Sequence, residues 1–140
     1  MAMSTTEPTP IDRTRALYEA FTQGRIDDVL DSLSEDTRWH VPGTRAHIPW
    51  AGSWRGRQGV GELFAALDEH LDIEAYEPDR FVADGDFVVA SGRERVRSRA
   101  TGKVHDGRWV HLWTLSGGRF TRFEEHFDTD ATAAILREGD

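Results

Sequence analysis

The strongest constraint on the fold of this chain is the segment 109–128, in which two alternating runs flank the turn Ser116-Gly117-Gly118. This pattern predicts a β-hairpin, because successive side chains of a strand point to opposite faces. One face then carries Trp109, His111, Trp113 and Leu115 from the first run, with Thr121, Phe123, Glu125 and Phe127 from the second. A face used only for packing rarely needs an imidazole or a carboxylate. The hairpin therefore indicates a lined pocket with one acid–base pair.

The rest of the chain places helices before strands. Periodicity predicts helices at 11–23, 26–33, 58–70 and 129–136, and strands at 37–41, 73–83 and 87–100, with a glycine-rich loop at 42–61. Helices followed by an antiparallel meander are typical of the α+β class. A curved antiparallel sheet wrapped around the N-terminal helices would bury both and leave a cone-shaped cavity. We expect a flexible tail over 1–10 and a single domain over 11–140.

Composition excludes several classes of function. The 140 residues carry a formal net charge of −8 and no basic patch, which argues against a nucleic-acid partner. No apolar run reaches membrane-spanning length, and the N-terminus does not resemble a secretion signal. The chain has no cysteine, and its six histidines match no metal-binding spacing. We therefore expect a cytoplasmic protein without metal or cofactor, and with neither nucleic-acid nor membrane partners.

Four segments carry a resemblance to a known family. They are Leu17-Tyr-Glu-Ala-Phe-Thr-Gln-Gly24, Leu33-Ser-Glu-Asp-Thr-Arg-Trp39, Trp54-Arg-Gly-Arg-Gln-Gly-Val60 and Gly118-Arg-Phe-Thr-Arg-Phe-Glu-Glu-His-Phe-Asp128. Over roughly residues 11–136 the chain resembles the NTF2-like superfamily, which includes ketosteroid isomerases and SnoaL-like polyketide cyclases. The resemblance implies a cone-shaped α+β barrel of the NTF2-like or cystatin-like kind, and a homodimer. It is weak for activity, since the superfamily contains isomerases, cyclases, hydrolases, dehydratases and non-enzymes.

The resemblance also implies roles for individual residues. The general base of the isomerases falls at Val41, so their familiar route is not expected here. Their oxyanion donor on the penultimate strand falls at or near His111, and their helical tyrosine falls within one residue of Tyr18. The SnoaL-like cyclases and related epoxide hydrolases carry acid–base groups on later strands, which leaves room for His111 and Glu125.

Three side chains are the main candidates for acid–base chemistry. His111 and Glu125 should face each other or lie one step apart, with Cβ atoms about 5 Å apart. A carboxylate next to an imidazole fixes its tautomer, and burial raises the pKa of a carboxyl group. The alternative is a buried polar pair that satisfies only itself. Glu94 should share the inward face with Ala90 and Val96, or else pair with a neighbouring arginine.

A larger set of side chains is expected to contact the substrate. These residues are aromatic or lie beside the long loop: Trp39, His47, Trp50, Trp54, Phe64, Trp109, Trp113, Phe123 and Phe127. Aromatic walls suit a flat ligand, although ordinary core packing should account for at least two of the five tryptophans. Trp50 and Trp54 are the best placed to meet a ligand.

The favoured function is a cofactor-independent acid–base enzyme on a small apolar organic substrate, of the isomerase or polyketide-cyclase kind. Glu125 or Glu94 would take the proton, His111 would orient the base or stabilise the oxyanion, and Tyr18 would add a hydrogen bond. The alternatives are a non-catalytic small-ligand-binding protein and an epoxide hydrolase-like or dehydratase activity. The outer sheet face is expected to meet solvent or a second copy of the chain.

Overall fold

The computed structural model describes residues 7–139 and has the expected α+β architecture. The elements are α1 (Pro10–Thr22), α2 (Ile26–Asp31), β1 (Leu33–Val41), β2 (Gly52–Arg55), α3 (Gly56–His70), β3 (Leu71–Asp84), β4 (Phe87–Ser98), β5 (Val104–Ser116), β6 (Arg119–Phe127) and α4 (Thr129–Leu136). Most of the predicted tail, residues 1–6, lies outside the described residues. The first helix begins at Pro10, where Thr9 and Asp12 form a reciprocal capping box.

The six strands form one curved sheet in the order β2-β1-β6-β5-β4-β3. Strands β3 to β6 are the predicted antiparallel meander, whereas β1 pairs with β6 in parallel. Strand β1 begins earlier than the strand predicted at 37–41, because the polar residues 34–36 extend it with their side chains partly in solvent. The short strand β2 lies in the loop predicted for 42–61.

The β5–β6 hairpin closes through a two-residue turn. Gly117 and Gly118 have φ values of 57° and 79°, a conformation that favours glycine and matches the twist of a hairpin. The resulting register places His111 opposite Glu125, as the alternation predicted. An irregularity after Thr114 then places Phe120, rather than Thr121, in the buried core.

A second irregularity changes which face β3 presents to the cavity. The register of β3 against β4 shifts between Ile73 and Ala75, after which Tyr76 lies opposite Glu94. Strict alternation from Ile73 would direct Tyr76 outward. The bulge reverses the phase and brings Tyr76 to the concave face.

The concave face is covered by α1 and α3, which bury Leu17, Tyr18, Val60 and Leu63 against it. The sheet itself is closely packed at Gly92. A Cβ atom there would lie 2.3 Å from the Trp109 ring and 2.4 Å from the Glu77 carbonyl oxygen. Because Gly92 has no side chain, the Trp109 ring can lie flat on β4. None of the helices in the described part of the chain is long and apolar enough to cross a membrane.

Candidate active site

The centre of the site is His111 on β5, which is only 2% exposed. Its Nδ1 lies 2.7 Å from the Tyr18 hydroxyl on α1. Its Nε2 lies 3.0 Å from both the Tyr76 hydroxyl on β3 and Glu125 Oε2 on β6. Four separate elements of the fold therefore meet at one imidazole.

The donors in this network fix the position of each proton. The Trp113 indole can only donate, and it donates to the Tyr18 oxygen at 2.9 Å. Among the described residues, His111 Nδ1 is the acceptor within reach of the Tyr18 proton, so this hydroxyl donates to Nδ1, and the imidazole proton lies on Nε2, directed at Glu125. The Tyr76 hydroxyl donates to the same Glu125 oxygen at 3.4 Å. The network is thus complete with a neutral histidine and with Glu125 Oε2 as the acceptor of both hydrogen bonds.

The electrostatics agree with that arrangement. Burial lowers the pKa of His111, and the hydrogen bond and charge of Glu125 only partly oppose this effect. Burial likewise raises the pKa of Tyr18 and of Tyr76, so both phenols keep their protons. The Glu125 side chain is 15% exposed, and among the described residues its Oε1 has no hydrogen-bond partner.

Two small adjoining chambers lie beside the network, where we expected one cone-shaped cavity. The first chamber holds about 60 Å³ of water-accessible space and the second about 50 Å³. Both are lined by Phe21, Trp50, Leu67, Tyr76 and Glu125. The Tyr76 ring, stacked on Trp109 with centroids 4.9 Å apart, lines both chambers. Glu125 therefore faces both spaces.

Two further polar groups line the second chamber. Glu94 is 9% exposed and points inward, as predicted, and no hydrogen bond joins its carboxyl to any residue in the described range. Burial, together with the nearby charge of Glu125, raises the pKa of Glu94 to about 8. Thr132 on α4 is 3% exposed, and its hydroxyl likewise lacks a partner among residues 7–139.

The structure brings most of the predicted contact residues to the chambers. The first chamber is lined by Trp39, Trp50, Phe64, Trp113 and Phe123, and the second by Trp50 and Phe127. The Trp39 indole nitrogen is buried without a hydrogen-bond partner in the described part of the chain. Trp39 lines the first chamber, so its indole N–H is a candidate donor to a ligand there.

Three predicted contact residues lie elsewhere. Trp109 is buried beneath Tyr76 and His111, and its indole donates to the Arg93 carbonyl at 3.2 Å. Trp54 packs beneath the Arg45 guanidinium and donates to the Trp50 carbonyl at 3.0 Å, which keeps its ring outside both chambers.

His47 is exposed, because it lies in a turn whose backbone bonds back to Thr44. Its buried neighbour Ile48 faces the core instead. His47 therefore lines neither chamber, although we expected it to contact the substrate.

Sequence reasoning missed Tyr76 and Thr132. The bulge in β3 hid Tyr76, since simple alternation directs it outward. Thr132 was hidden by tertiary docking, because helical periodicity does not show which side of α4 covers the second chamber. Within residues 7–139, no three His, Asp or Glu side chains are grouped so as to hold a metal ion.

Comparison with known proteins gives one family and several structural relatives. A family model described as a SnoaL-like domain matches residues 14–123. An uncharacterised protein of Mycobacterium tuberculosis is 30% identical over 135 residues, which cover 93% of this chain and 98% of the relative.

Two solved structures are also similar. An NTF2-like protein of unknown function from Burkholderia pseudomallei has a TM-score of 0.82 and 28% identity, covering 91% of this chain and 96% of that one. The protein TerC, crystallised with polyporic acid, has a TM-score of 0.81 and 28% identity, covering 93% and 98%.

Proposed function

The chain belongs to the SnoaL-like family, and from that premise we propose that it is a cofactor-independent acid–base enzyme acting on a small organic substrate. The observation that carries this proposal is the state of Glu125. One carboxylate oxygen is held by His111 and Tyr76, while the other has no partner among the described residues, and the side chain lines both chambers. An oriented carboxylate with one free oxygen is suited to general-base catalysis.

The chemistry we propose is proton abstraction next to a carbonyl group. Glu125 Oε1 takes the proton, and the C–H electron pair moves into the carbonyl to form an enolate. The enolate oxygen accepts a hydrogen bond from the Trp39 indole, which has no partner among residues 7–139. The proton then returns to the same carbon or to another one, which gives exchange, isomerisation or ring closure.

His111, Tyr76 and Tyr18 have supporting roles in this scheme. His111 and Tyr76 hold Glu125 Oε2, so the free oxygen keeps a fixed direction. Tyr18 contacts His111 and Trp113, and it acts as a positioning residue that selects the imidazole tautomer.

The lining indicates what kind of substrate fits. Aromatic rings dominate the first chamber and favour a flat molecule by stacking. The similarity to TerC, which was crystallised with polyporic acid, supports a small organic molecule as the ligand of this chain. The small volume of the chambers excludes large substrates.

Deuterium exchange into 1-tetralone tests the proposal, because loss of its α-protons requires only a base and a donor to the oxygen. In D₂O at pD 7, we expect the protein to accelerate the exchange measured by ¹H NMR at least tenfold over buffer. Tryptophan fluorescence in the same sample reports binding. A protein that binds the ketone without accelerating exchange is a ligand-binding module, and the enzymatic proposal then fails.

We also propose that two copies associate through the outer sheet face. Phe87 and Val110 project from this face and are 42% and 38% exposed. Sedimentation equilibrium gives the mass directly: a dimer supports this proposal, and a monomer at 100 µM contradicts it.

A further inference from the structure

The second chamber carries polar groups that the proposed base does not use. We infer that it is an oxygen-binding subsite, in which the Thr132 hydroxyl and the Glu94 carboxyl hold a hydroxyl or carbonyl oxygen at the far end of an elongated substrate. This inference rests on the proposed function, since the first chamber then holds the reacting carbonyl.

The first support is the unpaired hydroxyl of Thr132. A threonine inside a helix usually bonds its hydroxyl to the carbonyl four residues earlier. Here the Asp128 carbonyl accepts from the Thr132 backbone N–H at 3.1 Å, and the Thr132 hydroxyl has no partner within the described residues. A buried hydroxyl without a partner is costly, which favours a site that a ligand completes.

The second support is Glu94, whose carboxyl faces the same chamber from β4. Its neighbours Arg93 and Arg95 point to the other face of the sheet and pair with acidic residues there. Among residues 7–139, no Lys, Arg or His forms an ion pair with Glu94. Because burial raises its pKa to about 8, Glu94 keeps its proton at neutral pH and can donate to an oxygen acceptor.

The third support is the way in which the two chambers adjoin. Tyr76 and Glu125 line both, so a molecule occupying both chambers passes directly beside the proposed base. The Trp39 indole offers a donor in the first chamber, and Glu94 with Thr132 offers donors in the second. This arrangement fits a flat apolar body with an oxygen at each end.

Two ketones that differ by one oxygen test the subsite. 6-Hydroxy-1-tetralone carries a hydroxyl opposite its carbonyl, and 1-tetralone lacks it. We expect calorimetry to show at least tenfold tighter binding of the hydroxylated ketone to the unmodified protein. Thr132→Val and Glu94→Leu should each reduce this advantage below threefold. Thr129→Val, a control on the same helix outside the chamber, should retain it.

Glu94→Gln sharpens the test, because an amide keeps the shape of the side chain and still donates. It should retain most of the advantage that Glu94→Leu loses. Equal affinities of the two ketones for the unmodified protein would overturn the inference. So would an advantage that survives both Thr132→Val and Glu94→Leu, or failure of the hydroxylated ketone to bind.

The exchange assay separates this inference from the proposed function. If the protein catalyses exchange into 1-tetralone but binds the two ketones with equal affinity, the subsite is refuted and the proposed enzymatic function stands. If the protein binds the hydroxylated ketone more tightly through Thr132 but does not catalyse exchange, the subsite is supported and only the enzymatic function is refuted.

Discussion

The two faces of β4 differ in how their charged residues are paired. On the outer face, Arg93 pairs with Glu77 at 3.2 Å, and Arg95 pairs with Glu74 at 2.9 Å and Asp106 at 2.7 Å. On the concave face, Glu94 has no such partner among the described residues. The same short segment therefore contains fully paired charges in solvent and an unpaired acid in the interior.

This difference distinguishes ion pairs that solvent stabilises at the surface from an ionisable group placed for a function. Exposed ion pairs contribute little to stability, since water already solvates both partners. A buried carboxyl group without a partner is unfavourable for folding, so a fold that contains one beside a cavity points to a functional site. The concave face should accordingly be sensitive to small substitutions and the outer face tolerant of large ones.

Gly92→Ala should give the largest loss of stability. The new methyl group would meet both the Trp109 ring and the Glu77 backbone within 2.5 Å, so either the ring or the strand must move. Urea unfolding should show a loss of about 3 kcal/mol. Gly61→Ala in α3 is the control: its methyl group has ordinary contacts, and the change should stabilise the protein by about 0.5–1 kcal/mol. A neutral Gly92→Ala would show that Trp109 is not held against β4.

Glu94→Gln should change how stability depends on pH. The pKa of Glu94 is about 8 in the folded protein, whereas in the unfolded chain it is the ordinary 4.5. The stability of the unmodified protein therefore falls as pH rises between these values, and the glutamine variant lacks this loss. The free energy of unfolding of the variant, relative to that of the unmodified protein, should rise by up to about 1.4 kcal/mol per pH unit in that window. A constant difference from pH 5 to pH 8 would mean that Glu94 is ionised throughout.

Arg95→Ala on the outer face should have the smallest effect. Its side chain is 40% exposed, and its guanidinium bridges two acids that are themselves in contact with water. Thermal unfolding should reveal a loss of less than about 1 kcal/mol, which 0.5 M salt reduces further. A loss above 2 kcal/mol would remove the contrast between the two faces.

The sequence predicted the part of the site that depends on regular alternation. Strands β5 and β6 are joined by a two-residue turn and keep their register from Trp109 to Thr114, so the pairing of His111 with Glu125 could be predicted. The inward direction of Glu94 followed from the same two-residue period in β4.

The remaining features depend on breaks in that period or on tertiary docking. The bulge in β3 reversed the direction of Tyr76. The irregularity between β5 and β6 placed Phe120 in the core in place of Thr121. The parallel pairing of β1 with β6 joins strands far apart in the chain, which no local pattern indicates. The docking of α4 over the second chamber likewise follows from tertiary packing.

The most direct test of the central claim compares two adjacent glutamates on β6. Glu125 faces the chambers, while Glu124 lies on the outer face in an ion pair with His126 at 2.7 Å. Deuterium exchange into 1-tetralone is measured for Glu125→Gln and Glu124→Gln, with circular dichroism to verify folding. The account predicts at least a hundredfold loss of catalysed exchange for Glu125→Gln and less than a twofold change for Glu124→Gln. Equal rates for the two variants would contradict it.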